Sequence, residues 1–314
     1  MSSGADGLEG TVRVIAPAKI NLYLGVHDEK DAEGYHRVDT VMAALELADT
    51  VDIEAREDGE GTGPSVETVP ELDIPMEQNT AYKAAVRLGE AFGRSPDVRI
   101  SIRKRIPVCA GLGGPSSDAA AVLVGLCELW GVDVADPRAE DVARSVGADV
   151  AFFLHNSPAY LSGRGDVLQE VLPALDSMPV VLVKPFEGGL STAEAYRRFD
   201  EDPAEPAKLE PMLDALRAGR SRDVPGLVAN NLVWASCSLE PRIAQVLDWL
   251  RRQPGVLAAD MCGSGACSYA ICESEEAAGR LAGAASVSRE ARAAGGWWSR
   301  ATRMENYGAR TFGE

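Results

Sequence analysis

The stretch from Val98 to Trp130 does most to limit what this chain can fold into. Val98, Ile100 and Ile102 alternate with Arg99, Arg103 and Arg105, the pattern of a half-buried strand that runs to Ile106. From Pro115 the apolar spacing lengthens: Ala119, Val122, Leu123, Leu126 and Leu129 share one face of a helix ending near Trp130. Between the two lies Val108-Cys109-Ala110-Gly111-Leu112-Gly113-Gly114-Pro115-Ser116-Ser117-Asp118. A strand that turns through glycines into a helix points the helix's first N–H groups, and the positive end of its dipole, at the loop. Glycine lets the backbone approach an anion closely and take positive φ. The segment therefore reads as a phosphate cradle, with Ser116 and Ser117 adding hydroxyls for phosphate or for a nucleotide-bound metal. It also reads as a plain capping turn, with Pro115 in the first helical turn and Ser or Asp as N-cap. No lysine precedes the serines as a Walker A loop requires. Nor is there a third glycine where a dinucleotide fingerprint needs one.

The rest of the chain mixes strands and helices without regular βαβ alternation, which predicts an α+β fold. Strand patterns occupy Thr11–Val26, two stretches within Val38–Arg56, Val180–Val183 and Trp297–Met304. Helical spacing marks Thr80–Phe92, Pro137–Val146, Thr192–Phe199, Glu210–Ala218, Pro241–Arg252 and Ser274–Ala284. Residues 1–10 read as a loose tail without a signal peptide's basic start and apolar run, and Asp58 to Pro64 as a Gly-rich acidic turn. A change of domain near Gly163 to Val167 divides the chain into 11–165 and 166–314.

The formal charge of −17 argues against nucleic acid or an anionic membrane surface as the main partner. An anionic ligand would need a local positive pocket. No window approaches a membrane span. The 6 cysteines form no C-x-x-C pair, consistent with reduced thiols in a cytoplasm. Three histidines disfavour a multi-histidine metal site.

Three further segments carry chemistry. Lys19 and Asn21 in Pro17-Ala18-Lys19-Ile20-Asn21 are two apart in a strand and share a face. A lysine among apolar neighbours needs an anionic partner, or else sits on an edge strand with its stem reaching water. Asp149, after Gly147-Ala148 and before Val150-Ala151-Phe152-Phe153, is either a base or a helix cap. Gly263-Ser264-Gly265 lies between apolar segments, as a hairpin turn or as a second backbone surface approaching a ligand.

Pro17-Ala18-Lys19-Ile20-Asn21-Leu22, the loop Gly111-Leu112-Gly113-Gly114 followed by Ser116-Ser117-Asp118, Gly147-Ala148-Asp149-Val150, and Gly263-Ser264-Gly265-Ala266-Cys267 stand in this order. Together they resemble the GHMP kinase superfamily over nearly the whole chain. The Glu33-Gly34-Tyr35-His36 segment is similar to that of members acting on a cytosine-bearing substrate in non-mevalonate isoprenoid biosynthesis. The resemblance implies a two-domain kinase, monomer or homodimer, with ATP as co-substrate, Mg²⁺, and the site between the domains. It implies Asp149 as the base and Lys19 as its partner. Asn21, Tyr35, His36, Tyr196, Gly263, Ser264 and Gly265 would meet the substrate, Tyr35 and Tyr196 packing against the ring and His36 hydrogen-bonding it. Pro107, Ala110, Gly111, Leu112, Gly113, Gly114, Ser116 and Ser117 would meet ATP, with Asn79 and Lys104 in the adenine and ribose pocket. Pro115 departs from the usual glycine, and no acidic residue in the helix clearly supplies a metal ligand. Were the substrate mevalonate, homoserine or a sugar, Tyr35, His36 and Tyr196 would be structural. A non-catalytic homologue would be expected to have lost Lys19 or Asp149.

Overall fold

Two strands of 20 residues each, β1 (Thr11–Lys30) and β2 (His36–Ala55), pair antiparallel and form the spine of the molecule. The structure is a computed structural model that describes residues 10–56, 63–186 and 189–313. Residues 1–9 of the expected tail and most of the acidic turn at 58–64 lie outside these. Residues 16–26 of β1 are buried without a break, as expected of a strand covered on both faces. The two stretches expected within 38–56 are one strand. The β1–β2 register slips from Pro17↔Ala48 to Lys19↔Ala44, so the irregularity is a bulge and not a turn.

The first half adds β3 (Ser65–Val69), α1 (Thr80–Phe92), β4 (Val98–Arg103), α2 (Gly114–Trp130), α3 (Pro137–Val146), β5 (Ala159–Ser162) and β6 (Val167–Val171). α1, α2 and α3 pack together over β1, β2 and β4, around Val14, Ile53, Leu88, Ile100, Leu123 and Leu126. The boundary expected at 165/166 falls inside the β5–β6 hairpin, whose strands pair from Ala159↔Val171 to Ser162↔Val167. Its Gly163-Arg164-Gly165-Asp166 turn has the composition of a linker.

The second half runs β7 (Pro179–Pro185), α4 (Thr192–Glu201), α5 (Glu210–Arg217), β8 (Ala229–Asn230), α6 (Val233–Leu239) and α7 (Pro241–Arg251). It closes with β9 (Val256–Met261), β10 (Ser268–Cys272), α8 (Glu275–Val287), α9 (Arg289–Ala293), β11 (Trp297–Glu305) and β12 (Arg310–Thr311). The main path of the sheet is β12-β1-β2-β11-β7-β10-β9. β4 and β5 also pair with β2, while β3–β4 and β1–β8 are parallel. The sheet is therefore mixed and the fold α+β, as the sequence predicts. β11 joins the halves: residues 297–303 pair with β7, and Met304 and Glu305 pair with β2. Among the described residues no helix is long and apolar enough to cross a membrane.

Candidate active site

The turn from β4 into α2 is where the first constraint acts. Gly113 takes φ 74° as the N-cap of α2 and Pro115 stands in the first helical turn as expected, but no side chain caps the helix, so the Ser or Asp N-cap of the plain capping reading is not found. Gly111, at φ 71°, packs so closely on the Cys262 carbonyl that a Cβ there would collide with it. A Cβ on Gly113 would lie 2.9 Å from the Phe153 ring and 3.0 Å from Lys19 Cγ. The loop is pinned from two sides. The Lys19 N–H donates to the Leu112 carbonyl (3.0 Å), and the Cys267 N–H donates to the Ala110 carbonyl (3.2 Å).

The loop borders a cleft of about 800 Å³ that also reaches Lys19, Asn21, Tyr35, His36, Asp149, Tyr196, Gly263 and Ser264. Lys19 is 3% exposed, so it is not an edge lysine reaching for water. Its Nζ donates to Asn21 Oδ1 (2.9 Å) and lies 3.4 Å from Asp149 Oδ2. Asn21 is oriented in turn by Thr40, whose Oγ1 accepts from Asn21 Nδ2 (2.9 Å) and donates to the Tyr23 carbonyl (2.8 Å). Asp149 caps nothing: no side chain caps the short turn Ala151–Leu154 that follows it. Its carboxylate faces Lys19 with about a third of its surface open.

At the other end stands His36. Its Nδ1 bonds the His27 carbonyl (2.6 Å) and its Nε2 bonds Asp200 Oδ1 (2.8 Å). The Tyr196 ring lies 5.7 Å from the imidazole, and Phe199 meets it edge-on at 5.8 Å. Burial, and then the Asp149 charge, push the Tyr196 phenol well above its ordinary value. Tyr35 is exposed on the rim. The second glycine turn joins β9 to β10, as a hairpin turn should. It is held by Asn230 Nδ2 donating to the Gly263 carbonyl (2.8 Å), by Ser236 Oγ donating to the Ser264 carbonyl (3.0 Å), and by Thr192 Oγ1 within 2.9 Å of Ser264 Oγ.

Of the other expected residues, most are not among those lining the cleft. Ala110, Leu112, Gly114 and Ser117 are buried, Pro107 is half-buried, and Ser116 lines the cleft. Gly265, at φ 96°, packs on Met261 and Ile243. Asn79 caps α1 by accepting from the Ala81 N–H (2.9 Å). Lys104 Nζ sits 2.5 Å from both Asp49 Oδ2 and Asp118 Oδ2. Burial pulls the ammonium down, but the two carboxylates outweigh it and the shift is upward. Asp49 also accepts the N–H groups of Arg105 and Ile106, fixing the approach to the loop. The side chains of Asn79 and Lys104 thus brace the start of α1 and the base of α2.

Sequence reasoning missed Asp200, Thr192, Asn230, Lys30, Arg144, Arg164 and Arg197, which gather here from scattered elements. Among the described residues that line the cleft, Lys19, Lys30, Arg144, Arg164 and Arg197 outnumber Asp149, Asp166 and Asp200. These cations, each beside a carboxylate, are the groups that an acidic chain can offer to an anionic ligand.

A glycine loop feeding a helix, a buried lysine beside a carboxylate, and a second glycine turn closing the cleft are the parts of a small-molecule kinase of the GHMP type. The chain belongs to the GHMP kinase family: its sequence matches "GHMP kinases N terminal domain" over 79–157 and "GHMP kinases C terminal" over 227–286. Curated relatives include the 4-diphosphocytidyl-2-C-methyl-D-erythritol kinase of Mycolicibacterium gilvum, 37% identical over 91% of each chain. The kinase of that name from Shouchella clausii is 37% identical over 85% of this chain and 87% of its own. A solved 4-(cytidine 5'-diphospho)-2C-methyl-D-erythritol kinase superposes with a TM-score of 0.73 at 33% identity, covering 94% of this chain and all of that one. The homoserine kinase of Cytophaga hutchinsonii reaches the same TM-score at 18% identity over 99% of each chain, which shows the shared fold.

Proposed function

We propose that this protein transfers the γ-phosphoryl group of ATP to the 2-hydroxyl of 4-diphosphocytidyl-2-C-methyl-D-erythritol, giving the 2-phosphate and ADP. One observation carries the reading. The Lys19–Asp149 pair and the His36 ring, with Tyr196 against it and Tyr35 on the rim, open into the same cleft beside the glycine loop. A phosphoryl acceptor site thus lies alongside a site for a flat ring. The names of the relatives support the same substrate.

Phosphoryl transfer asks a protein mainly for positioning and charge stabilisation. In this proposal the N–H groups of the loop and of the first turn of α2 hold the donor phosphates. Asp149 accepts the proton of the attacking hydroxyl at a carboxylate oxygen. The hydroxyl is far less acidic than a carboxylic acid, so its proton moves late and in-line geometry counts for more than base strength. Lys19 orients the carboxylate and offsets charge on the phosphoryl in transit. Asn21, fixed by Lys19 and Thr40, places the hydroxyl.

Among the described residues no three His, Cys, Asp or Glu side chains converge as a metal cage. A magnesium ion would therefore be held chiefly by the nucleotide phosphates, as this ion prefers. The Ser117 hydroxyl, buried in the first turn of α2 with no hydrogen-bond partner, fits a place beside it, as does Ser116 on the cleft wall. Bound there, the ion neutralises phosphate charge. The same reading treats the chain as two units meeting at the cleft, with the changeover after β6, since β6 pairs with β5 of the first half.

ADP release with the cytidyl substrate, mevalonate and homoserine tests the proposal. Turnover of the first and not of the others is expected; turnover of mevalonate or homoserine alone overturns it.

A further inference from the structure

The proposed acceptor carries a diphosphate between its base and its reacting hydroxyl, and the groups described so far serve only the two ends. Lys19 and Asp149 stand at the reacting end; His36, Tyr196 and Tyr35 stand at the base end. Two arginines on the cleft wall link them.

Arg164, in the β5–β6 turn, stacks over the Tyr35 ring, its guanidinium carbon 4.1 Å from the centroid. Its Nε donates to Asp31 and its Nη2 to Glu33, both at 2.7 Å, so Nη1 lies outside these bonds. Arg144 stands in the last turn of α3, which leads through Gly147 and Ala148 into Asp149. Asp166 connects the two. Its Oδ1 accepts the backbone N–H of Arg164 (2.9 Å), and its Oδ2 lies 3.4 Å from both Nε and Nη2 of Arg144. The wall therefore runs Tyr35, Arg164, Asp166, Arg144, Asp149, from the base end to the reacting end.

The Arg144–Asp166 contact is long for a charge-assisted bond and partly exposed, so little is lost when the guanidinium turns to another anion. A guanidinium offers a planar fork of donors that matches phosphate oxygens. Lys30 is less available. It lies 2.7 Å from Asp200, the carboxylate that also holds His36.

We infer that Arg144, with Arg164 beside it, binds the diphosphate of the acceptor and so selects a nucleoside diphosphate-linked substrate over an uncharged polyol. This deepens the proposed function and rests on it. Exchange of Asp166 for the diphosphate is the binding event; no covalent step is involved.

The test uses the full chain, with CDP and cytidine as probes followed by isothermal titration calorimetry. Arg144→Ala should weaken CDP by about tenfold or more, the scale of a lost charged hydrogen bond, and leave cytidine unchanged. Arg144→Lys should recover part of the loss. Asp166→Asn, which frees the guanidinium, should bind CDP at least as tightly as the wild type. In turnover, the acceptor's KM should rise in Arg144→Ala while that of ATP stays constant. Unchanged CDP affinity overturns the inference. So does an equal loss for cytidine, or a rise confined to the KM of ATP, which would move Arg144 to the donor phosphates. Failure of the wild type to turn over the cytidyl substrate would instead overturn the proposed function, while the contrast between CDP and cytidine still decides whether Arg144 holds a diphosphate.

Discussion

The Nζ of Lys19 is shared between Asn21 Oδ1 at 2.9 Å and Asp149 Oδ2 at 3.4 Å, so one buried cation orients both a polar ligand group and a base. The shorter bond is to the neutral amide, which leaves the carboxylate free to meet a hydroxyl. Asp149→Asn keeps the shape and removes the proton acceptor. It should lower kcat by about 10²–10⁴ with little change in the KM of ATP, measured by coupled ADP release. Unchanged turnover would remove Asp149 from the base's role.

Gly111 is the tightest point of the phosphate loop. Its φ of 71° and the Cys262 carbonyl together leave no room for a methyl group. Gly111→Ala should cost about 1–3 kcal/mol from overpacking and about 1 kcal/mol from the left-handed backbone. Urea unfolding measures this directly, and ATP affinity should fall with it. A variant of wild-type stability would show that the Cys262 turn yields easily.

Pro115 brings no N–H to the first turn of α2, while its carbonyl accepts from Thr80 Oγ1 at 2.7 Å. Pro115→Gly adds a donor and leaves that carbonyl in place. ATP should bind equally or more tightly by calorimetry. A clear loss would show that the ring itself is part of the cradle.

The His36 and Tyr196 rings lie 5.7 Å apart, tilted by 44°, in the cleft that also holds Lys19. Tyr196→Ala should raise the KM of the cytidyl substrate by about tenfold, the scale of one lost stacking contact. The KM of ATP should stay as it was. Equal effects on both substrates would mean that Tyr196 holds the fold and not the ring.

Burial pushes the Asp118 carboxyl up to about 7 against the pull of Lys104. An acid whose folded value exceeds its unfolded one keeps its proton longer when folded. Between about 4 and about 7 the folded protein therefore binds more protons, and this group's contribution to stability falls as pH rises. Asp118→Asn removes the titration while keeping an oxygen for Lys104. The stability of the wild type relative to this variant should fall from pH 5 to pH 8, read by urea unfolding at each. A parallel change in both proteins would place the titrating group elsewhere.

Much of this arrangement was legible in the sequence. Period and punctuation located α1 and α3 to the residue and α2 to within one, because Gly93, Gly131 and Gly147 stop them and Asn79 and Asp136 start them. β3, β5 and β6 went unseen. They are short: β3 and β5 pair with β4 and β2 far away in the chain, and β6 pairs with β5 across a Gly163-Arg164-Gly165-Asp166 turn that reads as a linker. The bulge in β2 falls between Ala44 and Ala48, where β2 advances four residues while β1 advances two, a mismatch that only the pairing reveals. Within the site, distinctive motifs mark Lys19, Asp149 and Gly263 in the sequence, and none marks the residues that join them in the cleft from ordinary segments. Asp200 touches His36 across 164 positions of chain, and nothing near Asp200 in the sequence marks it. Asn79 and Lys104 are expected at the nucleotide; in the structure Asn79 caps α1 and Lys104 pairs with Asp49 and Asp118, contacts that no local pattern announces.

β11 pairs with β7 over most of its length and with β2 at its end, and β12 lies on β1. The strand that closes the seam is thus synthesised after both of the strands it joins. Until then Ala44 and Leu45 of β2, and Val14 and Ile15 of β1, lack the partners that β11 and β12 bring, and unpaired strand groups seek any available strand. A chain cut before Trp297 would lose the seam between its halves and leave one edge of β7 open.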